Sequence, residues 1–239
     1  MKIQDAVVLV TGSNRGIGKA LVQALSKAGA RKIYASARDS SSLSFAGLKA
    51  EIVPLTLDVS NDSNLQKVAK QANDVTLVLN NAGVLSTGNI LEVTEDQIKH
   101  NFETNFFGAL AVARTFAPII ERNGGGAIVN TLTLLSLASM PAFAAYNASK
   151  AATWSMTLSL RASLANTNVA VHSVFPGAVD TDMLDGIEMA KTSPDEVAKA
   201  IVEGVNQDKE DIFPDPMSKQ VYPAWRENHK DIEKQFAQM

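Results

Sequence analysis

The sequence predicts an α/β fold with a doubly wound parallel sheet, in one domain over residues 1–239, and three observations carry that expectation. Short β-branched runs alternate with amphipathic helical patterns along most of the chain. A glycine-rich turn joins the first run to the first helix. No internal repeat, low-complexity linker or composition shift divides the chain. One core at this length can bury roughly 70–75% of the unfolded surface without disulfide or metal.

The elements follow in order. Val7, Val8, Leu9 and Val10 form an apolar run of strand length that ends at Thr11-Gly12. Ile17, Ala20, Leu21, Ala24, Leu25 and Ala28 then recur at helical spacing, and Gly29 sits where a C-terminal cap belongs. Residues 32–36 and 51–57 read as the second and third strands, and Leu65, Val68, Ala69 and Ala72 as the face of a short helix. Residues 75–79 are continuously apolar, as a parallel strand covered on both faces requires. Thr94-Glu95-Asp96-Gln97 is a capping box that opens a long helix towards Glu121, and Gly124-Gly125-Gly126 breaks it before a strand at 127–131. A second long helix is expected over 143–164, then a strand over 169–174 that stops at Pro176-Gly177. Ser193-Pro194-Asp195-Glu196 starts another helix, with its cap, its first-position Pro and its third-position Glu in place. The Pro-punctuated aromatic stretch from Phe213 to Trp225 is expected to pack back on the domain or across a subunit interface.

Composition excludes several classes. Lys and Arg number 22 against 25 Asp and Glu, a formal charge of -3 with no basic block, which argues against nucleic acid or an anionic membrane surface as the main partner. With no Cys, disulfide scaffolds, thiolate nucleophiles and Cys-ligated zinc are excluded, and His100, His172 and His229 lie too far apart to suggest a metal site. The absence of a signal-like apolar core or an 18-residue apolar span makes the expected location cytoplasmic.

Thr11-Gly12-Ser13-Asn14-Arg15-Gly16-Ile17-Gly18 lies between strand and helix, where glycines permit a tight turn and let a pyrophosphate approach backbone N–H groups. This TGxxxGIG stretch, NNAG at Asn80-Asn81-Ala82-Gly83, YxxxK at Tyr146–Lys150 and the late Pro176-Gly177 together resemble the short-chain dehydrogenase/reductase family. The four motifs occur in family order over essentially the whole chain. The resemblance implies a seven-stranded Rossmann-type sheet, a nicotinamide dinucleotide cofactor, and a homodimer or homotetramer packed through the two long helices.

The second strand ends Ser36-Ala37-Arg38-Asp39, with no carboxylate at the corner where NAD-binding proteins usually accept from the ribose 2′-OH. Arg38 can supply charge-assisted bonds to a 2′-phosphate, and Arg15 resembles the second basic position of NADP-preferring members, so NADP(H) is expected over NAD(H). Asp39 is a rival acceptor if its side chain swings in. Asp58-Val59 resembles the adenine-contacting pair, and Pro176, Gly177, Val179 and Thr181 match the stretch beside the nicotinamide amide.

Tyr146 and Lys150, at i and i+4, share one helix face. A phenol with a pKa near 10 needs a neighbouring positive charge to act as a base, whereas in reduction it gives its proton to the oxygen formed at the carbonyl. The resemblance implies that Lys150 holds the nicotinamide ribose hydroxyls. Family members carry a Ser about thirteen residues before the Tyr; ungapped counting lands on Thr133, which keeps the hydroxyl, with Ser136 as the rival. Asn105 matches the family's helix Asn and is also suited to bending a helix through backbone bonds.

Val84, Leu85, Leu134, Leu135, Met140, Met183 and Leu184 lie near the motif ends, placed either to line an apolar pocket or to fill the core, and 183–193 is short for a lid. The expected activity is reversible hydride transfer between nicotinamide and a small-molecule carbonyl or alcohol. The alternatives are a non-catalytic dinucleotide sensor or scaffold, and reduction of a C=N or C=C bond.

Overall fold

Seven parallel strands form one sheet in the computed structural model of the chain, which describes residues 2–239. Their order is β3-β2-β1-β4-β5-β6-β7, with β1 at Val7–Thr11, β2 at Lys32–Ala37, β3 at Glu51–Thr56, β4 at Leu77–Asn80, β5 at Gly126–Thr131, β6 at Val169–Val174 and β7 at Asp211–Ile212. Pro54 interrupts β3 without penalty because β3 is an edge strand whose outer N–H groups need no partner. The two-residue β7 carries too little pattern to be read from sequence and is held by pairing with Ser173 and Val174.

Two apolar layers cover the sheet. On one face, α1 (Gly16–Lys27) and α6 (Pro194–Asn206) bury Leu21, Leu25, Val197 and Ile201 against Val8, Val10 and Leu79. On the other, α2 (Asp62–Gln71), α4 (Ala109–Arg122) and α5 (Ala144–Leu164) close over Leu9, Val78 and Ile128 with Leu65, Val112, Phe116 and Leu160. Gly29 takes φ of +90° just past α1, a left-handed stop that side-chain-bearing residues disfavour.

The expected helix from Thr94 is not one regular α-helix. Its capping box forms as read, and α3 (Glu95–Phe102) runs into a wider π-turn at Glu103–Gly108 before α4 resumes. Asn105 lies in that turn, and the Thr153 hydroxyl of α5 donates to its carbonyl at 3.0 Å.

The tail folds back on the domain. In α7 (Pro216–Glu227), Tyr222 stacks on Phe213 at 3.9 Å, Phe213 stacks on Phe175 at 5.2 Å, and Trp225 meets Trp154 of α5 at 6.0 Å. A last helix, α8 (His229–Phe236), follows and buries Ile232 and Phe236. No helix among the described residues is long and apolar enough to cross a membrane.

Candidate active site

Sheet order reverses between β1 and β4, so the loops after these strands part and leave a crevice at the strands' carboxyl ends. A cleft of about 610 Å³ lies there, lined by segments following β1 to β6.

One part of it is built from backbone. Gly12 holds φ of +68°, and a Cβ there would lie 3.0 Å from Ala82 Cα; a Cβ on Gly18 would run into the Gly12 carbonyl oxygen. The Asn81 amide donates to the carbonyls of Thr11 at 3.0 Å and Gly12 at 3.2 Å, while Thr11 Oγ1 accepts from the N–H groups of Asn81 and Ala82 at 3.0 Å. These bonds lace the two loops together. Gly16, Ile17 and Gly18 line the cleft, and α1 begins there with no side-chain cap and no acid in its first turn. Bare first-turn N–H groups beside a glycine cradle suit an anionic phosphate. Asn14, Asn81, Ala82 and Gly83 complete this wall.

Asn80 is not part of it. Its amide is turned into the protein, donating to the Ala109 carbonyl at 3.2 Å and to Asn130 Oδ1 at 2.9 Å, so it ties β4 to α4 and β5. The sequence reading placed all four motif residues at the cofactor; three of the four line the cleft.

At the β2 end, Ser36 is fully buried, its hydroxyl bonded to the Val10 carbonyl, while Arg38 is exposed on the cleft wall. Asp39 Oδ1 accepts from Ser41 N–H at 2.9 Å and Ser41 Oγ at 2.7 Å, capping a short 3₁₀ turn at Ser40–Ser42. Those bonds hold its carboxyl below the ordinary range. Asp58 likewise accepts from Ser60, and Asp58 and Val59 both line the cleft. Arg15 also lines the cleft, and its guanidinium bonds Asp182 at 3.0 Å, both side chains about two-thirds exposed (64% and 67%).

The third region holds Tyr146, Lys150 and Thr133. Asn147 of α5 donates from its amide to the Met140 carbonyl at 2.7 Å, fixing the start of the helix. Tyr146 and Lys150 are both buried and both line the cleft. Lys150 Nζ donates to the Thr131 carbonyl at 2.7 Å and lies 5.8 Å from the Tyr146 ring centroid. Thr133 caps the 3₁₀ turn Leu134–Ser136, its Oγ1 accepting from Leu135 N–H at 3.2 Å, and its hydroxyl lies within hydrogen-bonding reach of the Tyr146 phenol. Burial pushes the phenol well above its usual range, and the Thr133 bond offsets part of that rise. Burial also pulls Lys150 down to about 8. The expectation that the ammonium favours the phenolate is therefore outweighed by desolvation in the protein alone.

Ser136 does not line the cleft; it is buried with its hydroxyl unpartnered. Asn105 is also outside the cleft wall. Its Oδ1 accepts from Val84 N–H at 2.9 Å, and its Nδ2 donates to the Val84 carbonyl and Ser149 Oγ at 2.9 Å, so it braces the loop after β4 against α5. Pro176, Gly177, Val179 and Thr181 line the cleft as expected. Gly177 N–H donates to Asp215 Oδ2 at 2.8 Å, a support from the α7 cap that sequence reading missed.

All seven apolar residues singled out by position, Val84 to Leu184, line the cleft. Phe143, Met189, Met217, Phe236 and Met239 join them, and sequence reading missed all five. The one signal for Phe236 is its i,i+4 spacing from Ile232 in an otherwise charged helix. The segment 183–193 is short, as expected, and pinned: Lys191 Nζ donates to the Leu184 carbonyl at 2.7 Å, and Asp180 N–H donates to the Thr192 carbonyl at 2.9 Å.

A protein-family model described as short chain dehydrogenase matches residues 6–192. The chain is 31% identical over 233 residues to a 1-deoxy-11-beta-hydroxypentalenate dehydrogenase of Streptomyces exfoliatus, covering 89% of this chain and 84% of that protein. Its fold matches a short chain dehydrogenase from Burkholderia cenocepacia J2315 in complex with NADP, with a TM-score of 0.93 at 33% identity over 99% of both chains. A short chain dehydrogenase/reductase from Burkholderia phymatum in complex with NAD matches with a TM-score of 0.85 at 26% identity, over 98% of this chain and 96% of that one.

Proposed function

This chain belongs to the short-chain dehydrogenase family, and from that membership we propose that it is an NADP(H)-dependent oxidoreductase interconverting a ketone or aldehyde and its alcohol, with Tyr146 as the general acid and base. The observation that carries the reading is the buried Tyr146–Thr133–Lys150 group in the same cleft as a glycine cradle and an apolar wall.

The cradle at Gly12, Asn14, Gly16, Ile17 and Gly18 fits a pyrophosphate, and Asp58 and Val59 the adenine. Asn81, Ala82 and Gly83 would complete the cofactor's bed, and Pro176, Gly177, Val179 and Thr181 would hold its nicotinamide end. Lys150 would hold the nicotinamide ribose hydroxyls. When bound, the reduced nicotinamide supplies hydride to the carbonyl carbon. Thr133 and Tyr146 bind the carbonyl oxygen, and Tyr146 gives that oxygen its proton. Asn105 acts indirectly, by holding the Val84 loop and α5 in place. A sensor or scaffold has no need of this buried phenol–hydroxyl pair. Phe107 and Leu158, 57% and 44% exposed on the π-turn and α5, support a homodimer or homotetramer through the long helices.

NADP(H) is preferred because Arg38 flanks the cleft while Asp39 is engaged with Ser41. Arg15, held to Asp182 through one guanidinium nitrogen, keeps other donors for the 2′-phosphate beside Arg38. Losing a charge-assisted contact there should cost about 1.5–3 kcal/mol, roughly tenfold to over a hundredfold in affinity. With a panel of carbonyls, kcat/KM for NADPH is expected to exceed that for NADH at least about tenfold, and Arg38→Asp to shrink or invert the ratio. Equal values for both cofactors in the unaltered protein contradict the preference.

Lys150 gives a pH signature. Its ammonium, pulled down to about 8 in the protein alone, is favoured when it donates to ribose hydroxyls. Cofactor binding therefore takes up a proton above pH about 8, and affinity falls there as pH rises but is level just below. The 2′-phosphate, with a pKa near ~6, is already ionised in that range. NADPH titrations from pH 7 to 10 are expected to show this fall in the unaltered protein and not in Lys150→Met; a level profile in both removes Lys150 from the ribose.

A further inference from the structure

We infer that the substrate is an uncharged, hydrocarbon-rich ketone or aldehyde, seated in a methionine-lined chamber that the C-terminal helix walls off; the inference rests on reading the cleft as a carbonyl-reducing site. Five of the six methionines among the described residues line the cleft: Met140, Met183, Met189, Met217 and Met239. They converge from four places, namely the loop between β5 and α5, the segment between β6 and α6, helix α7, and the residues beyond α8. Phe236 of α8 joins them, buried in a cluster with Leu134, Met140 and Tyr146.

Charge is scarce on this side. Of the lining contributed by residues 131–239, Lys150 and Asp182 alone are charged. Lys150 donates to the Thr131 carbonyl and, in the proposed reaction, to the nicotinamide ribose, and Asp182 is paired with Arg15. A carboxylate or phosphate on the substrate would lose its water and meet Lys150 alone among the cations of this stretch, and a polyol would leave most of its hydroxyls unpaired. Tyr146 and Thr133 offer hydrogen bonds to one oxygen, while the walls offer hydrocarbon and thioether. Methionine side chains are unbranched and flexible, so they mould to apolar groups of different shape. The chamber thus selects for apolar surface rather than one outline.

Calorimetry on the Tyr146→Phe protein saturated with NADPH tests this without relying on turnover. The ligands are a series of 2-alkanones, a ketose and a 2-keto acid. Affinity is expected to rise about fourfold per added methylene until the chamber fills. The ketose and the keto acid should bind at least about a hundredfold more weakly than the alkanone of equal size. Phe236→Ala should flatten the alkanone series. Met239→Lys, at a half-exposed position where the fold is not at stake, should raise keto-acid affinity at least about tenfold. A ketose or keto acid that binds as tightly as the alkanone overturns the inference and leaves carbonyl reduction standing. Alkanones that bind in this graded way, yet are not reduced by the unaltered enzyme, overturn the proposed reaction and leave the chamber standing. An unchanged ligand ranking in both variants removes the C-terminal wall from the account.

Discussion

Tyr146→Phe is expected to lower kcat by about 10²–10⁴-fold while leaving NADPH affinity within about twofold, because in the proposed reaction the phenol gives the proton and the ring is what packs. Tyr146 is buried against Leu134, Met140 and Phe143, contacts that a phenyl ring preserves. Its proton is held tightly by burial, so across the neutral range the phenol stays protonated and ready to give a proton to a developing alkoxide. The reverse direction needs the phenolate, which desolvation opposes, so alcohol oxidation is expected to gain from raised pH and from the positive charge of oxidised nicotinamide. Steady-state kinetics with a separate cofactor titration separate proton donation from binding. Retention of more than about a tenth of the activity contradicts the acid role.

Thr133→Ala is expected to cost roughly 10²–10³ in kcat, the usual effect of removing one donor from the site where negative charge develops. Thr133 Oγ1 already accepts from Leu135 N–H, and its single proton is available to the Tyr146 phenol or, in the proposed reaction, to a carbonyl oxygen beside it. Thr133→Ser keeps that proton and should stay active, with broader substrate tolerance where the methyl is lost. Ser136→Ala should change kcat less than about tenfold, since Ser136 is outside the cleft wall. The opposite pattern, a silent Thr133→Ala beside a crippled Ser136→Ala, transfers the role to Ser136.

The alternation of strand and helix was readable because each buried strand is a near-continuous apolar run and each covering helix an apolar stripe, as in Val7–Thr11 and Gly16–Lys27. The π-turn at Glu103–Gly108 was not, because a slightly wider turn barely disturbs helical spacing. Asn80 and Asn81 are neighbours in one motif, yet backbone geometry sends one amide into the core and the other to the Thr11-Gly12 turn. That Thr133 lines the cleft and Ser136 does not became visible only with the 3₁₀ turn that Thr133 caps. Phe236 and Met239 reach the cleft through tertiary packing of α7 and α8, about ninety residues beyond Tyr146, where no motif announces them. Asp39 was ambiguous in sequence because its neighbours Ser40 and Ser41 could equally have left it free; the turn they form engages it.

In the proposed reaction this cleft transfers hydride to a carbonyl carbon and Tyr146 completes the alcohol. NADPH deuterated at its transferable position, incubated with an apolar ketone, tests it most directly. One deuterium on the product's carbinol carbon is expected with the unaltered protein, and almost none with Tyr146→Phe over the same time. NADPH bound tightly with no deuterium reaching any ketone, or equal transfer by both proteins, would contradict it.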